Sequence, residues 1–239
     1  MINTLLFDLD GTLLEIDMDF FLEKYFEAMV SRFDGLVDGR FLVQQILKST
    51  RTMVENTDPG RTNKDIFMED FFRATGLDPT EVLPRFDAFY QEDFPGLRVY
   101  AKRIQVAREV LAKAREQGYT LVLATNPVFP VSAIRNRMEW AGIDGFEFEL
   151  VTAYENMHFC KPHLEYYQEV LEKICRAPEE CLMVGNDVGE DLVAGKLGIK
   201  TYLVTDFIIN NTEANFQPDL SGSLRDFMGL LLQKRLSRF

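Results

Sequence analysis

The stretch LLFDLDGTLLE, residues 5–15, decides how the rest of the chain is read. Leu5, Leu6 and Phe7 run straight into Asp8, and a second acid, Asp10, follows before the pair Gly11-Thr12. A short, unbroken apolar run that stops at polar residues is the pattern of a strand buried on both faces, as strands of a parallel sheet are. Residues 4–8 are therefore read as a first strand, with two carboxylates where it surfaces.

The same texture returns after Ile104. Ile104, Ala107, Val110, Leu111 and Ala114 form a helical stripe that Gly118 is placed to end, and YTLVLATN (119–126) reads as the next buried strand. The alternation then continues. Ser132–Ala141 reads as helix, FEFELV (146–151) as strand, and His163–Cys175 as helix with Tyr167, Val170, Leu171 and Ile174 on one face. CLMVG (181–185) and IKTYLV (199–204) read as strands around a short helix, and Ser223–Leu236 as a last helix. Strands and helices at this rhythm imply an α/β fold, a Rossmann-like doubly wound parallel sheet with helices on both faces.

Between these parts the chain reads as helix throughout. Phe21, Tyr25, Met29 and Phe33 recur every fourth residue; Phe41, Gln44, Gln45 and Lys48 suggest a second amphipathic face. Phe67, Phe71 and Phe72, then Val82, Phe86, Phe89 and Tyr90, imply two more helices, separated by Asp58-Pro59-Gly60 and Asp78-Pro79. An all-helical domain over 15–97 is thus expected as an insertion into an α/β core of 1–14 and 98–239. Its phenylalanines, like Trp140 later, read as packing residues.

Composition narrows the function. The 239 residues are 46% hydrophobic, enough for a full core, and carry 38 acidic against 26 basic side chains, a formal charge of −12. That excess opposes nucleic acid and anionic membranes, so no partner of either kind is expected, and a phosphate-bearing ligand needs a local positive site. No apolar stretch is long enough to span a bilayer, and no basic start or cleavage site of a signal peptide is present. Cys160, Cys175 and Cys181 lack both CxxC spacing and disulfide density, so they are expected to be reduced, buried packing residues in a cytoplasmic protein. Oligomeric state leaves no mark on the sequence.

In an open parallel sheet, ligands bind beyond the C-terminal strand ends, near the reversal of strand order. Here those ends carry Asp8 and Asp10, then Thr125 and Asn126, then Asn186 and Asp187. Lys161, before a predicted helix, and Asp191, four residues after Asp187, add a cation and another carboxylate.

With these residues assembled, the chain resembles the haloacid dehalogenase superfamily, in the phosphoglycolate phosphatase and β-phosphoglucomutase-like branch with a helical cap inserted after the first motif. FDLDGT (7–12) matches the first motif, VLATN (122–126) the second, Lys161-Pro162 the third and GNDVGED (185–191) the fourth. The resemblance implies a phosphatase of a small phosphorylated metabolite. It makes Asp8 the nucleophile that forms an aspartyl-phosphate, and Asp10 the general acid and base. Thr125, Asn126 and Lys161 would hold the phosphoryl oxygens. Mg2+ would be bound by Asp8, the backbone carbonyl of Asp10 and Asp187, because facing carboxylates and phosphate require a hard cation with oxygen ligands. Asp191 would orient a metal-bound water or Lys161 from behind.

Some positions depart from the family pattern. Asn186 stands where Gly is common, which leaves Asn186 and Asp187 as alternatives at the metal, with Asp187 favoured by its spacing to Asp191. Pro127 removes an N–H beside Asn126. Glu15 and Asp17 are read as solvated hinge residues, His158 and His163 as possible gates or exposed loop residues, and Arg51 and Arg61 as solvated helix-surface groups. Asp10 argues for phosphatase, since by resemblance a dehalogenase lacks this acid and an ion-pumping ATPase has Thr there. Phosphomutase-type transfer would use the same Asp pair, and a non-catalytic phosphate-binding regulatory protein would keep the fold without turnover.

Overall fold

The computed structural model describes residues 1–211, 216–234 and 236. Strand β1 spans Thr4–Phe7 and is buried along its length; a short β2, Leu14–Ile16, leads into helices α1 (Met18–Arg32), α2 (Gly39–Glu55), α3 (Asn63–Thr75) and α4 (Pro79–Ala88). A π-helical turn and a 3-10 segment carry the chain to β3, Ala101–Arg103, which pairs antiparallel with β2. The helical block therefore enters and leaves through one two-stranded ribbon.

Beyond it lie α5 (Gln105–Glu116), β4 (Thr120–Leu123), α6 (Val131–Ala141), β5 (Leu150–Val151) and α7 (Leu164–Ile174). β6 (Cys181–Gly185), β7 (Lys200–Val204), β8 (Leu220–Gly222) and α8 (Leu224–Leu232) complete the chain's elements. The main sheet has six parallel strands in the order β5-β4-β1-β6-β7-β8. Order reverses at β1, so the ends of β4, β1 and β6 lie side by side.

Side-chain alternation along the strands divides the interior into two layers. Leu5, Phe7, Leu121, Leu123, Leu182 and Val184 face α5, α6 and α8, while Leu6, Val122, Ala124, Cys181 and Met183 face α7. Because each strand is covered on both faces, it reads as a continuous apolar run. The Rossmann-like core and the inserted helices expected from sequence are both present.

Three local expectations are corrected. FEFELV is strand only at Leu150–Val151: an edge strand has one partner, β4, and the preceding phenylalanines pack as loop residues. In α2 the buried face is Leu42, Gln45, Ile46, Ser49 and Met53, not the Phe41 face; Phe41 is 42% exposed. Gln45 and Ser49 are admitted because Gln45 donates to Ser49 Oγ (3.0 Å) and Ser49 donates to Asp70 (2.9 Å), satisfying the buried polar atoms. The last helix stops at Leu232, short of Leu236, where Lys234 turns to positive φ.

The helical block is held to the core by packing and by hydrogen bonds. Phe21, Tyr25, Met29 and Phe33 are buried, and Phe94 stacks on Trp140 of α6 with ring centroids 5.3 Å apart. The start of α3 is pinned by Asn63 N–H to Met157 O and Lys64 N–H to Tyr154 O, both 2.8 Å. Among the described residues no helix is long and apolar enough to cross a membrane.

Candidate active site

The strand ends converge as the strand order requires. Asp8 N–H donates to Val184 O (2.9 Å) and Ala124 N–H to Phe7 O (2.8 Å), so the first residue past β1 is still clamped between its neighbours. The chain then makes a tight turn in which Leu9 O accepts from the N–H groups of Leu13 and Leu14, both at 2.9 Å. Gly11 sits at φ +82°, and a Cβ there would meet Asn186 Nδ2 at 2.3 Å, so both backbone conformation and space call for glycine.

Lys161 is fully buried and joins two of the carboxylates: its Nζ donates to Asp8 Oδ1 at 3.0 Å and to Asp191 Oδ1 at 2.6 Å. Burial works against its charge, but Asp191 and Asp8 outweigh that and hold the ammonium well above the ordinary lysine range. Burial also pushes the Asp8 carboxyl up to about 7, with Lys161 opposing the shift and Asp191 and Asp10 adding to it. Asp191 reaches a second anchor through Oδ2, which accepts from Asp187 N–H at 2.9 Å. Asp187 Oδ1 accepts from Gly189 N–H (2.7 Å) and Glu190 N–H (2.9 Å), which fixes its carboxylate at the rim.

Asn186 is turned to a different task. Its Oδ1 accepts from Thr12 Oγ at 2.9 Å and its Nδ2 donates to Phe207 O at 2.6 Å, so the amide ties the β1 turn to the β7 loop. Thr125 is buried, with its carbonyl held by Thr152 Oγ (2.7 Å) and Tyr166 OH (3.0 Å). Asn126 Nδ2 donates to Glu190 Oε1 (2.9 Å), and Asn126 Oδ1 accepts Lys161 N–H (3.2 Å).

The largest element missing from the sequence reading is Arg137 on α6. It is 1% exposed, and its Nη1 donates to Asp10 Oδ2 in a charge-assisted pair. Burial raises the Asp10 carboxyl above its ordinary value, and Arg137 draws it back down. The guanidinium also lies 4.5 Å from the Phe129 ring centroid. A signal existed: Ala133, Ile134, Met138 and Ala141 form an apolar helical face, and Arg137 falls in its middle. Glu190, inside the fourth motif, also lines the site, and burial pushes its carboxyl up to about 8.

Other expectations resolve differently. His163 Nε2 lies 2.9 Å from Val54 O and links the Lys161 loop to α2, and His158 Nδ1 lies 2.7 Å from Glu169 Oε1, so neither is a free loop residue. Cys160 and Cys181 are buried as expected, but Cys175 is exposed, because it ends α7 in the left-handed conformation (φ 52°). Arg51 and Arg61 form surface ion pairs with Glu55 and Glu69.

Asp8, Asp10, Thr125, Asn126, Asn186 and Asp187 all border one cavity of about 600 Å³ between the sheet edge and the helical block. Among the described residues no group of three or more His, Cys, Asp and Glu side chains is arranged to hold a metal by itself. Asp8 and Asp187 nevertheless supply hard oxygen donors at the rim, where burial raises both carboxyls above their ordinary range. The donor chemistry fits a divalent cation bound by two carboxylates completed by a backbone oxygen, a set that needs no third side chain.

The family model that describes a haloacid dehalogenase-like hydrolase matches residues 2–198. Pyrophosphatase PpaX of Anoxybacillus flavithermus is 26% identical over 96% of this chain and 97% of its own. A crystal structure described as a predicted phosphoglycolate phosphatase from Haemophilus somnus superposes with TM-score 0.58 at 19% identity, covering 96% of this chain and 97% of the other. An L-2-haloacid dehalogenase from Xanthobacter autotrophicus superposes with TM-score 0.57 at 18% identity, covering 97% and 99%. At those identities the two structural likenesses speak for the fold.

Proposed function

The chain belongs to the haloacid dehalogenase-like hydrolases, and from that premise we propose that it is a phosphatase of a small phosphorylated metabolite, working through an aspartyl-phosphate on Asp8. The observation that carries this reading is Asp10: a second carboxyl borders the cavity of Asp8 and is aimed by a buried arginine. An ester oxygen leaving phosphorus needs a proton, and this carboxyl is placed to give one.

In the first step an Asp8 carboxylate oxygen attacks phosphorus in line, the P–O ester bond breaks, and the departing oxygen takes the Asp10 proton. In the second step water attacks the phosphorus of the acyl phosphate, Asp10 recovers a proton from it, and the P–O bond to Asp8 breaks to release inorganic phosphate. Lys161 and Thr125, with Asn126, are assigned to the phosphoryl oxygens, and Asp191 to holding Lys161 in position. Mg2+ on Asp8, the Asp10 carbonyl and Asp187 would supply the positive charge that lets a carboxylate meet a phosphate dianion. The engagement of Asn186 with Thr12 and Phe207 supports Asp187 over Asn186 as that ligand. Residues 15–97 are assigned as the cap over a core of 1–14 and 98–239, and a cytoplasmic setting fits three unpaired cysteines.

The test is release of inorganic phosphate from a panel of phosphate esters and pyrophosphate, the latter brought in by the curated relatives' names, with and without Mg2+. Magnesium-dependent release that disappears in Asp8→Asn is the expected result. Phosphoryl transfer with no free phosphate would give the site to a mutase instead. Ligand binding without turnover, unchanged in Asp8→Asn, would make it a regulatory phosphate site.

A further inference from the structure

The cavity is far larger than a phosphate and is walled by side chains that a charged metabolite would not use. On the helical side Leu22, Phe26, Ile46, Phe67, Met68 and Phe86 face it, and the only charged lining residues from the helical block are Asp17 and Asp19. Among the described residues Arg137 is the one cation on the lining; its charge is balanced by Asp10, which it meets through Nη1, while its Nη2 is a buried donor without a hydrogen-bond partner. Lys161 is committed to Asp8 and Asp191. A second phosphate or a carboxylate on the substrate would thus be desolvated among acids, with no cation whose charge is not already balanced by a carboxylate.

The mouth points the same way. Of ten large apolar side chains left exposed on the described surface, four, Leu47, Phe207, Ile208 and Ile209, border this cavity. Exposed apolar groups gathered at one opening, from the helical block and from the β7 loop, mark a surface that a ligand covers. The volume of about 600 Å³ lies within the range of roughly 300–1,000 Å³ of pockets that bury drug-sized organic ligands. The uncharged polar groups that the helical block brings to the lining are the Tyr25 and Tyr90 hydroxyls, 2.8 Å apart, and Thr50.

We propose that the group esterified to phosphate is uncharged and mainly apolar, with the bulk of a ring or a medium alkyl chain. This rests on the phosphatase reading above and names its substrate class. The leaving alcohol or phenol would lie against the cap wall while its phosphate faces Asp8.

The experiment compares kcat/KM for 1-naphthyl phosphate and hexyl phosphate with that for pyrophosphate, 2-phosphoglycolate and glycerol 3-phosphate, all with Mg2+. Hexyl phosphate should exceed glycerol 3-phosphate, an alkyl ester of similar leaving-group acidity, by about 30-fold. Leu22→Arg and, separately, Met68→Arg, each with an unchanged circular-dichroism spectrum, should lower hexyl phosphate use and raise that of 2-phosphoglycolate. Equal or better use of the anionic substrates by the wild type overturns the proposal. Equilibrium binding of naphthyl phosphate, 2-phosphoglycolate and pyrophosphate to Asp8→Asn separates the two readings. Tighter naphthyl phosphate binding without wild-type turnover would remove the phosphatase reading and keep the apolar preference, whereas binding that favours the anionic ligands would overturn the preference whatever the turnover.

Discussion

Replacing Arg137 with Met removes one partner of a buried ion pair and leaves the other in place. Arg137 is 1% exposed, Asp10 Oδ1 is buried without a hydrogen-bond partner, and the guanidinium also covers Phe129 at 4.5 Å. Stranding a buried carboxylate in this way costs about 3–5 kcal/mol. The apolar contact of Met returns a part, so a net loss of about 3 kcal/mol is expected from urea unfolding of the wild type and Arg137→Met. In the double variant with Asp10→Asn, no charge is stranded, and the two losses should fall short of additivity by on the order of 2 kcal/mol. Catalysis provides a second readout. Burial raises the Asp10 carboxyl and Arg137 pulls it down, so without the arginine Asp10 gives up its proton less readily. Single-turnover rates should fall about 100-fold for an alkyl phosphate and under about 10-fold for 4-nitrophenyl phosphate, whose leaving group needs no proton. Additive stability losses, or equal rate losses for both esters, would refute the coupling of Arg137 to the acid.

Two further substitutions probe the scaffold. In Gly185→Ala the new Cβ would stand 2.1 Å from Asp191 Oδ2, pushing that carboxylate off Lys161; kcat should drop on the order of 100-fold while the circular-dichroism spectrum stays native. Thr62→Ala breaks a capping box in which Thr62 Oγ accepts from Asp65 N–H at 3.2 Å, and removes the bond that Thr62 Oγ donates to Asp65 Oδ2 at 2.7 Å; it should cost about 1 kcal/mol at pH 7. Hydrogen bonding by Thr62 holds the Asp65 carboxyl below its ordinary value, so its stabilisation is fully present above the ordinary carboxylate value and is lost below it, as pH falls through the lowered folded-state value. The stability gap between wild type and Thr62→Ala should therefore shrink on acidification, and a gap that widens would contradict the assignment.

How much was legible in the sequence varied with the kind of interaction. β1, β4 and β6 were readable because strands buried on both faces leave unbroken apolar runs, and α1 because Phe21, Tyr25, Met29 and Phe33 keep one helical stripe. In α2 the pattern points to the wrong face, since Ser49 is buried by a hydrogen bond made across to Asp70 of α3 and Gln45 by one to Ser49, and a one-dimensional pattern holds no record of the cross-helix partner. FEFELV forms less strand than its composition favours for a related reason: β5 has only one neighbour to pair with.

By itself the sequence determined the α/β architecture, the inserted helices, and the strand ends that carry Asp8, Asp10, Thr125, Asn126, Asn186 and Asp187, because local periodicity and chain order are one-dimensional properties. Tertiary structure decided how the charged groups answer one another: the resemblance offers Lys161 and a metal-bound water as alternatives for Asp191, and it names no partner for Asp10. The Lys161 bridge from Asp8 to Asp191 and the Arg137 grip on Asp10 span 153, 30 and 127 positions of sequence. Charge and burial at such separations depend on where packing brings the helices, and so does the apolar cavity that the helical block closes over the carboxylates.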